Sequence, residues 1–159
     1  MNHWLYILHS DSQALEQMPE GTVLAFDFGK KRIGVAVGNN VLGVARPLMT
    51  IDAEITSRRF AAISELISTW QPVVLVVGLP LHSDGTEHEM TQLSQRFARR
   101  LAGRFNIKVI LKDERYTSEI ASSELRQAGI TGRKQKSVLD QWAAQQILQS
   151  FFDERHAIA

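Results

Sequence analysis

The sequence predicts an α/β fold: a five-stranded mixed sheet, strand order 3-2-1-4-5, with helices on both faces. Three observations predict it. Residues 23–27 (VLAFD) and 73–77 (VVLVV) are almost wholly apolar, as strands buried on both faces are. The first of these runs is followed over short links by two more strand-like runs, which favours an antiparallel meander. Later runs alternate with helical patterns, which calls for parallel strands joined by right-handed crossovers.

The elements follow in order. Residues 23–27 form the first strand, Phe28-Gly29-Lys30-Lys31 turns the chain, and residues 32–38 (RIGVAVG) form the second. Asn39-Asn40 is a turn pair, and residues 41–49 form the third strand. Asp52 is placed to cap a helix over 53–70, whose apolar face is Phe60, Ile63, Leu66, Ile67 and Trp70. Gln71-Pro72 ends it. The fourth strand, 73–77, leads into the loop 78–87 (GLPLHSDGTE) and a helix over 88–103 with Met90, Leu93, Phe97 and Leu101 on one face. The fifth strand, 107–111, ends at Lys112-Asp113-Glu114-Arg115. A helix over 117–128, a basic glycine-flanked loop over 129–136 (GITGRKQK) and a last helix over 138–154 complete the chain. Crossover handedness places the first, fourth and fifth strands parallel and adjacent, with the first at the centre.

With 159 residues, 44% apolar and 22% charged, the composition is that of one globular domain with a proper core. The domain is expected over residues 21–155. Residues 1–20, despite the apolar run Trp4–Leu8, read as an extension outside it without the features of a secretory signal. Met18 stands just before the first strand and is an alternative start. A net charge of +1 makes no case for nucleic-acid binding in bulk, so any such case rests on local patches. The absence of cysteine excludes disulfides, thiolate metal sites and cysteine nucleophiles, and fits a cytoplasmic protein. No apolar run is long enough to span a membrane.

Three acids stand out. Asp27 closes a buried strand, and ligands of such sheets gather at the carboxyl ends of the parallel strands. An Asp before Gly is also a common turn residue. Glu114 follows the fifth strand and reaches the same sheet end, or else belongs to a surface charge cluster; alternation points Asp113 the other way. Asp140 has two readings. Ser137 and Asp140 match a capping box. Yet Asp140, Ala143, Ala144, Ile147 and Phe151 also share one helical stripe, which puts Asp140 on the face that packs on the sheet. Three carboxylates without cysteine or paired histidine suit a hard cation, Mg²⁺ or Mn²⁺, and two such ions can drive phosphodiester hydrolysis. Lys31, Arg32, Arg115, Arg133, Lys134 and Lys136 are the candidate nucleic-acid contacts, each also readable as a solvated charge. Arg96, Arg99 and Arg100 lie largely off the apolar face of their helix and read as solvated. There is no GxxxxGK[ST] or GxGxxG phosphate loop, and the five histidines show no ligand spacing.

Four motifs in this order, AFDFGKKRIGVAVG, VVGLPLHSDGTE, DERYTS and KSVLDQWAAQQIL, resemble the YqgF/RuvX family of Holliday-junction-resolvase-like proteins in the ribonuclease H-like superfamily. The resemblance covers about residues 21–153. It implies a ribonuclease H-like fold and metal-dependent nuclease chemistry on structured nucleic acid, with the family's acids falling on Asp27, Glu114 and Asp140. It also implies maturation of the 5′ end of pre-16S ribosomal RNA, with the ribosome as a partner. The alternatives are a four-way DNA junction as substrate, or a non-catalytic RNA-binding factor. Near Asp140 the chain lacks the second helical acid of the RuvC resolvases: Ser137, Ala143 and Ala144 stand there. Lys30 occupies a position where a small or aliphatic residue is usual in the family.

Overall fold

The computed structural model describes residues 6–8, 18–82, 84–114, 129 and 132–158. Its strands are β1 (Tyr6–Leu8), β2 (Thr22–Phe28), β3 (Ile33–Asn39), β4 (Val44–Ile51), β5 (Val74–Pro80) and β6 (Lys108–Glu114). Its helices are α1 (Thr56–Trp70), α2 (Glu89–Phe105) and α3 (Gly132–Ile158). The helix expected over 117–128 lies outside the described residues.

The strands order as β1-β6-β5-β2-β3-β4. The expected five-strand order is present, with β2 pairing β5 in parallel, β5 pairing β6 in parallel, and β2-β3-β4 forming the antiparallel meander. One strand is added. Residues 6–8, expected outside the fold, pair in parallel with Val109–Leu111 and cover the open edge of β6. The unpaired backbone groups of an edge strand are a ready site for such an addition.

Strand alternation divides the core in two. Leu24, Phe26, Val35, Leu75 and Val109 point to the face covered by α1 and α2. Val23, Ala25, Ala36, Val76 and Ile110 point to the face covered by α3. On α3 the buried stripe is Ala143, Ala144, Ile147, Leu148, Phe151 and Phe152, as the helical spacing predicts. Small residues on the sheet receive it. A Cβ placed at Gly38 would lie 2.7 Å from the Phe152 ring.

Two helix starts differ from expectation. α1 begins at Thr56 after Ile55 rather than after Asp52, because β4 runs on to Ile51 and residues 52–55 turn the chain onto the sheet face. α3 begins at Gly132, so residues 132–136 are helical and Ser137 is not a cap. Arg, Lys and Gln are good helix formers, and they carry the helix upstream. Ser137 bonds across to the sheet instead: its carbonyl accepts from Thr50 Oγ1 at 3.0 Å and its hydroxyl lies 3.2 Å from the same oxygen. Further along α3, Gln145 and Gln149 bond the backbone of Ala45 in β4 and of Gly43 just before it.

Candidate functional site

The register of β2 and β3 brings the acids together. Asp27 continues the Val23, Ala25 series and so points toward α3. Its partner across the ladder is Gly34. A Cβ at Gly34 would lie 2.0 Å from the carbonyl oxygen of Asp140, so the helix backbone rests directly on β3 beside Asp27. Glu114, paired with Pro80 of β5, shares the face of Ile110 on β6. A Cβ at Gly78 would lie 2.6 Å from Glu114 Oε2 and 2.4 Å from Ile147 Cδ1. Two glycines therefore let the helix and the Glu114 carboxylate close on the end of the central strand.

Asp27 and Glu114 are joined by a side-chain hydrogen bond. Burial first, and then the charges of Glu114 and Asp140, push the Asp27 carboxyl well above the usual carboxylate range. Burial pushes Glu114 up to about 7, although its bond with Asp27 opposes the rise. Burial also raises Asp140, against the pull of Arg32, whose Nε lies 2.7 Å from Asp140 Oδ2. Asp27, Glu114 and Asp140 bring carboxyl oxygens to this corner, and carboxyl groups whose ionisation burial opposes are a set that a divalent cation allows to ionise. Among the described residues, no three acidic or imidazole groups are already gathered as a cage, because Asp140 is turned to Arg32.

A pH dependence follows. Glu114 ionises near pH 7 in the folded chain and near its ordinary value of 4.5 when unfolded. A raised carboxyl stabilises below the unfolded value, and that contribution is lost as pH rises through the folded one. Metal-free protein should therefore lose up to about 3 kcal/mol between pH 5 and pH 8.5 from this group. Denaturant titrations across that range should show the fall, and Glu114→Gln should reduce it to the part that Asp27 carries.

The turn after Asp27 is held from below. A Cβ at Gly29 would lie 2.6 Å from the Arg32 carbonyl oxygen, so the turn closes tightly there. Arg59 is 5% exposed; it donates to the Lys30 carbonyl at 2.7 Å and to the Ala53 carbonyl. Its guanidinium lies 5.3 Å from the centre of the Phe28 ring. Sequence reasoning missed this positioning residue, although Arg59, Ile63 and Leu66 share the helical spacing of the buried face.

The expected nucleic-acid contacts divide. Lys31, Arg32 and Lys136 line one cleft of about 620 Å³, together with Arg58, Asp52 and Glu54. Arg32 is there, but its Nε is committed to Asp140. Arg115 and the side chains of Arg133 and Lys134 lie outside the described residues. Lys30 pairs with Glu89 at 2.7 Å on the surface. The His82 and His88 rings meet at a tilt, with centres 4.7 Å apart. His88 caps α2, its Nδ1 accepting from the Met90 amide.

A mixed sheet of this order, with acids at the end of its central strand and a helix laid across them, defines the ribonuclease H-like class. The family described as RuvX, Holliday junction resolvase, matches residues 21–154. A protein of Nitrosomonas eutropha named "Putative pre-16S rRNA nuclease" is 65% identical over 137 residues, covering 86% of this chain and 87% of the relative. The chain belongs to the RuvX family. In fold it is similar to Thermus thermophilus RuvC, with a TM-score of 0.51 at 15% identity over 87% of this chain and 98% of that one. The fowlpox virus Holliday junction resolvase gives a TM-score of 0.52 at 15% identity, over 84% and 99%. No helix among the described residues is long and apolar enough to cross a membrane.

Proposed function

We propose that this chain is a metal-dependent endonuclease of structured nucleic acid and that its substrate is the 5′ end of pre-16S rRNA, processed in the cytoplasm. The observation that carries the reading is the Asp27–Glu114 carboxyl pair at the end of the central strands, with Asp140 held beside it. Asp27, Glu114 and Asp140 would hold divalent cations, two Mg²⁺ or Mn²⁺ ions. When bound, such ions supply a water nucleophile at neutral pH and neutralise charge at the scissile phosphate.

The chain's own groups do the rest. Asp27 and Glu114 would release the proton between them on holding a cation. Arg32 holds the Asp140 carboxyl oriented beside the pair through its Nε. The remaining N–H groups of its guanidinium can meet a phosphate oxygen beside Asp140. Lys31, Arg58 and Lys136 give the adjoining cleft its positive side and steer the backbone of the nucleic acid. Arg59 keeps the turn under Lys30 in place and so fixes the direction of Asp27.

The family's description as Holliday junction resolvases favours a second substrate, a four-way DNA junction. The two are separated by incubating the protein with a pre-16S rRNA end and with a four-way junction, each with Mg²⁺ and with chelator. Chelator-sensitive cutting of the RNA end alone supports the first reading. Cutting of the junction alone supports the second, and no cutting of either would leave an RNA-binding factor.

A further inference from the structure

On the face opposite α3, a groove runs between α1 and α2. Its two parts, of about 300 and 530 Å³, share Thr56, Phe60 and Arg100 and so are continuous. Arg96, Arg100 and Arg104 line it and recur every fourth residue along α2, a rise of about 6 Å per step. Among the described residues, no Asp or Glu lines either part. Residues 90–105 carry four arginines and no acid, in a chain whose net charge is only +1. All four, Arg96, Arg99, Arg100 and Arg104, are exposed, and among the described residues none is paired with a carboxylate.

Like charges set side by side repel one another, so such a stripe suits an anionic occupant. The floor is apolar, made by Leu93, Phe97 and Phe60. Arg104 stands over the Phe60 ring with its guanidinium carbon 4.9 Å from the ring centre, and a guanidinium placed over a ring still has N–H donors for phosphate oxygens. At its other end the groove is lined by Phe28, the residue that follows Asp27, with Arg59 beside it. A strand leaving the acidic site over the 28–31 turn would therefore run straight into the arginines. A positively charged groove that follows one backbone is how single-stranded nucleic acid is held.

We propose that the groove between α1 and α2 is a track for single-stranded RNA flanking the cleavage point, its phosphates held by Arg96, Arg100 and Arg104. The inference rests on the nuclease reading above. It predicts which part of a substrate each face of the sheet holds: the paired region at the acidic site and the unpaired flank on the far side of the turn.

The test is fluorescence anisotropy of the full chain, without divalent cation, on one RNA hairpin made with and without a single-stranded flank. The triple variant R96Q/R100Q/R104Q should bind the flanked hairpin about tenfold more weakly or worse, with its log–log salt slope reduced by about 2. Binding of the blunt hairpin should change by less than about twofold, since its contacts lie elsewhere. R99Q, exposed on α2 but outside the groove, should bind both hairpins as the wild type does. Arg104→Gln gives up a ring contact, so R96Q/R100Q repeats the measurement if the triple variant does not fold. Equal weakening on both hairpins, equal weakening by R99Q, or no weakening overturns the track while leaving the nuclease reading intact. A change of oligomeric state with RNA affinity unchanged also overturns it and assigns the groove to a second copy. Failure of the wild type to bind either hairpin overturns both readings together.

Discussion

Asp27→Asn should lower cleavage by at least about a hundredfold, the scale of removing one preorganised electrostatic group from a reacting centre. It should do so without unfolding the chain. Burial and two neighbouring acids already hold the Asp27 carboxyl well above its ordinary range, so the wild-type side chain is under electrostatic stress at neutral pH. Asn has the same shape, no charge, and an amide that can donate to Glu114 as the protonated acid does. The variant should melt at or above the wild-type temperature in metal-free buffer at pH 8. Affinity for RNA should stay within a few-fold, because binding rests on basic groups. Lost cleavage with a raised melting temperature separates a catalytic role from a structural one. Cleavage within tenfold of wild type would remove Asp27 from the mechanism.

The second large effect is expected at a residue with no side chain. Gly34→Val places a Cβ where the Asp140 carbonyl oxygen stands, 2.0 Å away, and both atoms belong to regular elements that cannot rotate aside. The helix has to lift from β3. Overpacking of this kind costs about 3 kcal/mol or more, or roughly 10 °C in melting temperature for a chain of this size. Cleavage should fall as well, because Asp140 leaves the Asp27 carboxylate with the helix. Gly103→Ala is the control. Nothing lies within 4 Å of a Cβ there, and the site is an exposed helix position. Replacing that glycine should raise stability by roughly 0.5–1 kcal/mol. Circular dichroism melts of the two variants, run together, separate the contact from a general cost of losing glycine.

The strands of the sheet could be read in advance because each buried strand is an apolar run bounded by turn residues. The meeting of Asp27 with Glu114 could be read from strand ends and crossover handedness. What escaped was whatever depends on contact between distant segments. Gly34 and Gly78 look like ordinary strand glycines until α3 and Glu114 are packed on them. Arg59 reads as a surface charge unless its place on the buried stripe outweighs its charge. Arg32 reads as a phosphate ligand, and its tie to Asp140 spans 108 residues of sequence. Ser137 and Asp140 satisfy the capping pattern, but the helix had already begun at Gly132, and no local rule weighs a cap against a bond to Thr50. Residues 6–8 are too short a segment to declare themselves a strand, and only the open side of β6 makes them one.

The bonds from Gln145 and Gln149 to β4 have a consequence for how this protein meets others of its kind. β4 is the last strand of the sheet on its side, and a bare terminal strand recruits further chains into ladders and fibres. Here the glutamine amides occupy the amide and carbonyl of Ala45 and the carbonyl of Gly43. Two residues on, Pro47 has no amide hydrogen to offer. A would-be templating surface is thereby quenched by side chains from the same helix that carries Asp140. Keeping the acids aligned and keeping the sheet from growing are one structural task, and a change that loosens α3 exposes the chain to both failures at once.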